Sequence, residues 1–220
     1  MLNEAAVPAT PAVAREVFGD ALERTEAFAR ILAGAAVERG LLGPREVDRI
    51  WDRHLINCAV VTEAIPDGAR VVDIGSGAGL PGIVLGIVRR DIRITLLEPL
   101  LRRTTFLNEA VAELGLEHVE VVRGRAEEYA GKLSADVVTA RAVAPLERLA
   151  TWALPLLRPG GSLLALKGDR AAVELEEASV TLKTQAVRDA RVVQVGQSRV
   201  NPATTIVRVI AGSRRRGRKR

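Results

Sequence analysis

The chain has 220 residues, enough for one well-buried domain and short for two. Its composition is that of a globular protein, with 48% hydrophobic and 27% charged residues, and no stretch approaches the roughly 20 apolar residues that span a bilayer. Six basic side chains in the last seven residues account for the net charge of +5, because the rest carries 26 basic and 27 acidic side chains.

Cysteine, histidine and the N-terminus narrow the class of protein further. One cysteine cannot form an internal disulfide, and two histidines do not supply a set of zinc ligands at the usual spacing. The first residues have no basic segment followed by an apolar run, so no secretory signal is expected. These features predict a cytoplasmic protein with no bound metal and no membrane association.

The first third of the chain has the periodicity of helices. Apolar residues recur at three- and four-residue steps from about 15 to 37, and Pro44 suits the first turn of a second helix that carries Trp51. The turn signal at 66–68 then indicates a boundary. We predict an N-terminal helical extension over 1–66, a main domain over 67–213 and a basic, disordered tail over 214–220.

Beyond this boundary the pattern alternates between strands and helices. Such alternation is typical of βαβ units with a parallel sheet. Two apolar segments near the C-terminus, separated by Asn201-Pro202, predict an antiparallel pair. The predicted strands cover 70–75, 92–97, 119–122, 137–140, 162–166, 192–195 and 204–210, and the two clearest helices cover 100–114 and 146–157.

The most informative segment is a glycine loop that follows the first predicted strand. Gly75, Gly77 and Gly79 alternate with other residues, so the backbone is able to turn tightly and to approach a ligand closely. Glu98 lies 23 residues after Gly75, at the end of the second strand. A carboxylate in this position can accept hydrogen bonds from both ribose hydroxyls. The pattern predicts an adenosine-containing ligand.

Two ligands fit the glycines in different registers. The three alternating glycines have the methyltransferase-like spacing, whereas the last two with Gly82 form the dinucleotide fingerprint. In that second register Pro81 removes an amide that a pyrophosphate would need, and Asp73 places a carboxylate where a cationic sulfonium is the better partner. S-adenosylmethionine is therefore favoured, with an NAD(P)-dependent oxidoreductase as the alternative.

These motifs resemble the glucose-inhibited division protein B family, the bacterial 16S rRNA guanine-N7 methyltransferases. The resemblance covers about 45–210. It implies a Rossmann-like class I S-adenosylmethionine-dependent methyltransferase fold: an α/β protein with a mostly parallel seven-stranded sheet and an antiparallel terminal strand. The matching segments are 73–82, 97–103, Phe106-Leu107, Arg53-His54-Leu55, 124–128, Ala140-Arg141-Ala142 and Leu166-Lys167-Gly168.

The resemblance also implies a substrate and a set of cofactor contacts. The expected reaction is methylation of one guanine of 16S rRNA, guanine 527 in conventional rRNA numbering, with the rRNA or the 30S subunit as partner. Leu80 would line the cofactor, Ala126 and Glu127 would flank its adenine, and Arg141 would reach its methionine end. The full predicted cofactor site is Asp73, Gly75, Gly77, Gly79, Leu80, Glu98, Ala126, Glu127 and Arg141.

Guanine N7 carries a lone pair and no proton, so its methylation needs alignment rather than a general base. Arg141 and Lys167 follow the fourth and fifth strands at the ligand edge of the sheet, and we predict that both position the reactants. Arg53, His54, Arg125 and Lys167 are the predicted substrate-binding residues, although a histidine in this position is more often a packing residue.

Three other functions remain open at the level of sequence. The first is the oxidoreductase of the second glycine register. The second is an RNA-binding assembly factor that keeps the methyltransferase fold without its chemistry. The third is methylation of a small molecule. The oligomeric state does not follow from the sequence pattern. A monomer is favoured.

Overall fold

The computed structural model describes residues 7–213, so the predicted basic tail at 214–220 lies outside the described residues. Seven strands form one sheet in the order β3-β2-β1-β4-β5-β7-β6. The strands are β1 (Arg70–Ile74), β2 (Arg93–Glu98), β3 (Val119–Arg123), β4 (Ala135–Arg141), β5 (Leu157–Leu166), β6 (Val187–Val195) and β7 (Thr204–Ala211).

Strands β1 to β5 pair in parallel, and β7 pairs antiparallel with both β5 and β6. One strand of seven, β7, therefore runs against the others. This confirms the predicted mostly parallel sheet with an antiparallel terminal strand. All predicted strands are present. The largest shifts are in β5 and β6, which each begin five residues before the predicted start, because Leu157 already pairs with Ala135 of β4 and Val187 with Ala211 of β7.

Helices connect the strands as the alternation predicts. The predicted helix at 146–157 ends early because Pro155 has no N–H to continue the hydrogen-bond pattern, and a 3₁₀ turn, Leu154–Leu156, follows it. The helices of this region are α4 (Gly82–Val88), α5 (Leu101–Glu113), α6 (Leu146–Ala153), α7 (Ala171–Glu177) and α8 (Ser179–Thr184).

The N-terminal part is helical but less regular than its periodicity suggests. The predicted helix at 15–37 is interrupted at Gly19, whose φ of 48° lies outside the helical range. The second predicted helix contains 3₁₀ and π turns between Pro44 and Ala64. The regular α-helical pieces here are α1 (Ala12–Phe18), α2 (Leu22–Ile31) and α3 (Asn57–Ala59).

Two hydrophobic clusters cover the two faces of the sheet, because alternate strand residues point to opposite sides. Val71 belongs to one cluster and Val72 to the other. The first cluster joins the N-terminal helices to α4 and α5, and the second joins α6, α7 and α8 to the sheet. Arg24 adds a hydrogen bond from its Nε to the carbonyl of Leu114, 2.9 Å away. The N-terminal part thus shares a core with the sheet.

Across residues 7–213, no helix combines the length and the apolar character that crossing a membrane requires.

Candidate active site at the carboxyl ends of the strands

The glycine loop that follows β1 contains three glycines at alternate positions, all in the left-handed conformation. Gly75, Gly77 and Gly79 have φ values of 65°, 57° and 88°. A Cβ on Gly75 would lie 2.9 Å from Cγ2 of Val143, and a Cβ on Gly79 would lie 2.5 Å from Cδ1 of Ile83. The turn therefore requires bare backbone both for its conformation and for its close packing.

Glu98 ends β2 directly beside this loop. Its Oε2 accepts a hydrogen bond from the backbone N–H of Gly77 at 3.1 Å, and its Oε1 accepts one from Leu100 at 3.1 Å. Nη1 of Arg103 lies 3.6 Å from the same Oε2. The side chain is only 1% exposed, yet each carboxylate oxygen keeps a second lone pair for a further donor. The predicted pairing of glycine loop and carboxylate is thus a direct contact.

Asp73 lies beneath the loop and is completely buried. Its Oδ1 accepts a hydrogen bond from Oγ1 of Thr139 at 2.7 Å, and its Oδ2 accepts one from the N–H of Gly82 at 3.3 Å. Burial raises the pKa of Asp73 to about 6, although the hydrogen bond from Thr139 acts in the opposite direction. Asp73 therefore holds together β1, β4 and the start of α4.

Arg141, at the end of β4, contacts the N-terminal part through His54. Its Nη2 lies 2.7 Å from Nδ1 of His54, and its Nη1 lies 3.4 Å from Sγ of Cys58. Since the guanidinium only donates, Nδ1 accepts, and the proton of the neutral ring is on Nε2, which donates to Glu46 at 2.9 Å. Burial, and next the charge of Arg141, lower the pKa of His54 to about 4.

The residue after Arg141 has an unusual backbone. Ala142 adopts a φ of 53°, a left-handed conformation that costs a residue with a Cβ on the order of 1–3 kcal/mol. This bend has Arg141 on one side and Val143, the neighbour of Gly75, on the other. Strain of this kind is commonly concentrated at functional sites.

A cavity of about 620 Å³ opens at the carboxyl ends of β4 and β5. Arg53, Arg141 and Lys167 line it together with Val143, so it adjoins the glycine loop. Lys167 is not a free surface cation, because its Nζ lies 2.8 Å from Oε2 of Glu174 and 2.5 Å from the carbonyl oxygen of Ala144. Two predicted substrate-binding residues, Arg53 and Lys167, thus line the same cavity as Arg141, which is predicted to position the reactants.

The other predicted residues lie elsewhere. His54 is buried behind Arg141 rather than exposed to the cavity. Ala126 and Glu127 follow β3, where Ala126 is buried and Glu127 is exposed. Arg125 is exposed beside them, and its N–H is capped by Glu128 at 3.1 Å. Because β3 is separated from β4 by two strands, Arg125 does not share the cavity of Arg53 and Lys167.

Three residues of this site are missing from the sequence-based prediction. Glu46 orients His54, Thr139 binds Asp73 and Glu174 pairs with Lys167. Only Thr139 has a visible signal, since it is a polar residue within the apolar strand β4. No group of three or more acidic, cysteine or histidine residues within 7–213 is arranged to hold a metal ion.

The shifted pKa values of Asp73 and His54 predict opposite pH dependences of stability. Between pH 4 and 6 the folded protein binds more protons at Asp73 than the unfolded chain, so this contribution to stability declines as pH rises. At His54 the unfolded chain binds more protons over nearly the same range, so that contribution increases with pH. The two slopes oppose one another in the wild-type protein.

Substitution of one of the two residues should therefore make visible the pH dependence of stability that the other contributes. With Asp73→Asn, the free energy of unfolding should rise more steeply with pH than in wild type, by up to about 1.4 kcal/mol per pH unit. With His54→Gln, the free energy of unfolding, taken relative to that of wild type, should decrease as pH rises over the same interval. Urea unfolding at several pH values between 4 and 7 measures both slopes, and parallel curves for all three proteins would contradict the assignment.

The donor and acceptor groups fit an adenosine derivative with a charged amino acid end. Glu98 offers a carboxylate for a ribose diol, the glycine loop offers backbone without Cβ atoms, and buried Ala126 offers an apolar contact for a base. Arg141 has further N–H groups that suit a carboxylate.

Comparison with known proteins gives a consistent result. The family model described as rRNA small subunit methyltransferase G, GidB, matches residues 21–202. A protein of this name from Thermobifida fusca is 61% identical over 208 residues, covering 94% of this chain and 87% of the relative. The Streptomyces avermitilis protein of the same name is 57% identical, covering 96% and 90%.

Solved structures are similar in fold. A Thermotoga maritima S-adenosylmethionine-dependent O-methyltransferase aligns with a TM-score of 0.53 and 15% identity over 71% of this chain and 64% of that one. A Corynebacterium glutamicum protein aligns with a TM-score of 0.54 and 19% identity over 94% and 93%. The Rossmann-like methyltransferase fold and the family resemblance of the motifs are both confirmed. The chain belongs to the rRNA small subunit methyltransferase G (GidB) family.

Proposed function

We propose that this protein is an S-adenosylmethionine-dependent methyltransferase that methylates N7 of one guanine in 16S rRNA. The observation that carries the proposal is the contact of Gly77 with Glu98 next to a cavity lined by Arg53, Arg141 and Lys167. A nucleoside-binding loop and a cationic cavity meet at Val143. Family membership and the names of the relatives, all small-subunit rRNA methyltransferases, support the class of substrate.

The chain's own residues favour the methyl donor over a dinucleotide. Asp73 beneath the loop is acidic, and Pro81 lacks an N–H where a pyrophosphate needs amide donors. Arg141 is the cation available for the carboxylate of a methionine end. When bound, S-adenosylmethionine supplies an electrophilic methyl group on a positively charged sulfur.

Methylation at N7 sets modest demands on the protein. The guanine nitrogen has an in-plane lone pair and no proton to lose, so bond formation to the methyl carbon requires no general base. The neutral, buried state of His54 agrees with this, because its Nδ1 is occupied by Arg141 and its Nε2 by Glu46. The work of the site is to align the base and to exclude water, and such positioning can contribute several kcal/mol, up to about 7–11 in favourable cases.

The RNA is proposed to approach as 16S rRNA or as the 30S subunit, in the cytoplasm. Sequence-specific proteins usually reach RNA bases in loops and bulges, where a base is unstacked. The cavity, open at the strand ends, suits one such base. Since residues before the basic tail are nearly balanced in charge, local arginines such as Arg53 rather than a generally basic surface would contact phosphates.

Mapping of modified nucleosides tests this function. The 16S rRNA of a strain that lacks the gene should lose one 7-methylguanosine, and the wild-type gene should restore it. Calorimetry with S-adenosylhomocysteine and with NADH tests the cofactor separately. An unchanged modification pattern, or tight binding of NADH alone, would refute the proposal. Restoration of ribosome assembly by a variant that does not bind S-adenosylhomocysteine would indicate an assembly factor.

A further inference from the structure

We propose that Lys167 and Glu174 form a reader for the Watson–Crick edge of the target guanine, with Glu174 as a specificity-determining residue. This inference rests on the proposed function and names the contacts by which that site distinguishes bases. It starts from an ion pair in the wall of the cavity, between the end of β5 and helix α7.

The pair is held in a fixed orientation. Nζ of Lys167 forms an ion pair with Oε2 of Glu174 at 2.8 Å and donates a hydrogen bond to the carbonyl oxygen of Ala144 at 2.5 Å. The same Oε2 accepts a hydrogen bond from the N–H of Leu146, the first residue of α6, at 2.9 Å. Both side chains are therefore tied to the backbone of neighbouring elements, with 8% and 13% of their surfaces exposed.

Each partner keeps unused hydrogen-bonding capacity. An ammonium has three protons, and Lys167 directs them at only two partners in the contacts given above, Glu174 and Ala144. Within residues 7–213, Oε1 of Glu174 has no hydrogen-bond partner, and Glu174 lines the cavity. The wall thus presents a donor next to an acceptor.

The charges of the pair indicate what kind of group it binds. A lysine already neutralised by a carboxylate at 2.8 Å is a poor partner for phosphate, which would also be repelled by Glu174. A neutral group with an acceptor beside a donor is a better match. The pair is therefore suited to the edge of a base rather than to the RNA backbone.

The order of donor and acceptor selects guanine among the purines. Guanine presents O6, an acceptor, next to the donors N1–H and the exocyclic amine, so Lys167 would donate to O6 and Glu174 would accept from N1–H and the amine. Adenine presents a donor and then an acceptor, which places like groups against each other. Enzymes that act on single bases commonly read this edge. N7 is outside it and stays accessible for methylation.

Replacement of the target guanosine by inosine, which lacks only the exocyclic amine, provides a test without any variant. The substrates are 30S subunits reconstituted with 16S rRNA that carries guanosine or inosine at the mapped position. We expect the wild-type kcat/KM for N7 methylation of inosine to be about tenfold lower, as for loss of one hydrogen bond to a charged group. Equal kcat/KM values would overturn the inference.

The Glu174→Gln variant tests the same contact from the protein side. Its amide oxygen can still accept from Leu146, while its NH₂ group presents a donor where Oε1 accepted. We expect its kcat/KM to fall about 100-fold on guanosine, which loses the contacts of N1–H and the amine, and about tenfold on inosine, which loses only that of N1–H. The preference for guanosine over inosine should therefore disappear. The affinity for S-adenosylhomocysteine should stay unchanged.

Glu177→Gln is the matched control, because Glu177 lines the same cavity but is 57% exposed and pairs only loosely with Arg170 at 3.7 Å. It should keep the wild-type preference. An equal loss on both substrates in Glu174→Gln would indicate a structural role and overturn the inference. If wild type methylates no guanine at N7, the proposed function fails; if it methylates guanine and inosine alike, only this inference fails.

Discussion

Replacement of Gly75 by valine is expected to lower the affinity for S-adenosylhomocysteine by about 100-fold or more, from the combined cost of backbone strain and overpacking. Its φ of 65° is unfavourable for a residue with a Cβ, and that Cβ would lie 2.9 Å from Val143. Relief of the clash would displace the strained bend at Ala142 and with it Arg141. Calorimetric titration measures the affinity, and methylation of 30S subunits measures the activity.

Gly68→Val is the matched control for this substitution. Gly68 has nearly the same φ, 64°, but no atom lies within 4 Å of the position of its Cβ. Both variants therefore introduce the same backbone strain, while only Gly75→Val changes the site. We expect Gly68→Val to lower the melting temperature and to bind S-adenosylhomocysteine like wild type. An equal loss of affinity in both variants would show that general destabilisation explains the effect.

Replacement of Arg141 by methionine is expected to reduce kcat/KM for methylation by about 100-fold. This is the scale found when one partner of a hydrogen-bonded charge pair is removed from a binding interface, and the pair here is that of Arg141 with the methionine carboxylate of the cofactor. The variant loses the cavity's link to His54 and Cys58 and the cation proposed to bind the methionine carboxylate. It should also raise the pKa of His54 from about 4, because the charge of Arg141 lowers that pKa. The pKa should stay below 6.5, because burial persists.

Proton NMR resolves this titration, since the chain has only two histidines and His118→Gln identifies the second. Arg158→Met serves as the control because Arg158, near the start of β5, pairs with Asp136 far from the cavity. It should leave both kcat/KM and the His54 titration unchanged. If the pKa of His54 did not move in Arg141→Met, the contact between Arg141 and Nδ1 would be refuted.

The fold was predictable because its signals are local. Apolar strands, the turn at 66–68 and the glycine loop each lie within a few consecutive residues, and their alternation leaves few arrangements of the sheet. Irregularities inside helices were not predictable in the same way. The π turn at Leu32–Ala36 keeps apolar residues at nearly helical spacing, so periodicity does not distinguish it from an α-helix.

The candidate site was predictable only where its residues lie at the ends of predicted strands. Gly77 lies in the loop that follows β1, and Glu98 ends β2. Because these two strands are adjacent and parallel, the proximity of Gly77 and Glu98 is a consequence of topology. Glu46 and Glu174 reach their partners from helical segments whose orientation depends on tertiary packing. For the same reason the sequence predicts that Lys167 positions the reactants but does not reveal its ion pair with Glu174.

The hydrophobic cluster shared by the N-terminal helices and the sheet has a consequence for modularity. Phe28 and Leu55 from the helices and Ile83 from α4 are all completely buried in this one cluster. Separation of the two parts would expose these side chains to water, at about 1.5–3 kcal/mol for each. The helices are therefore an integral part of the folded protein and differ in this respect from an RNA-binding module that is tethered by a linker.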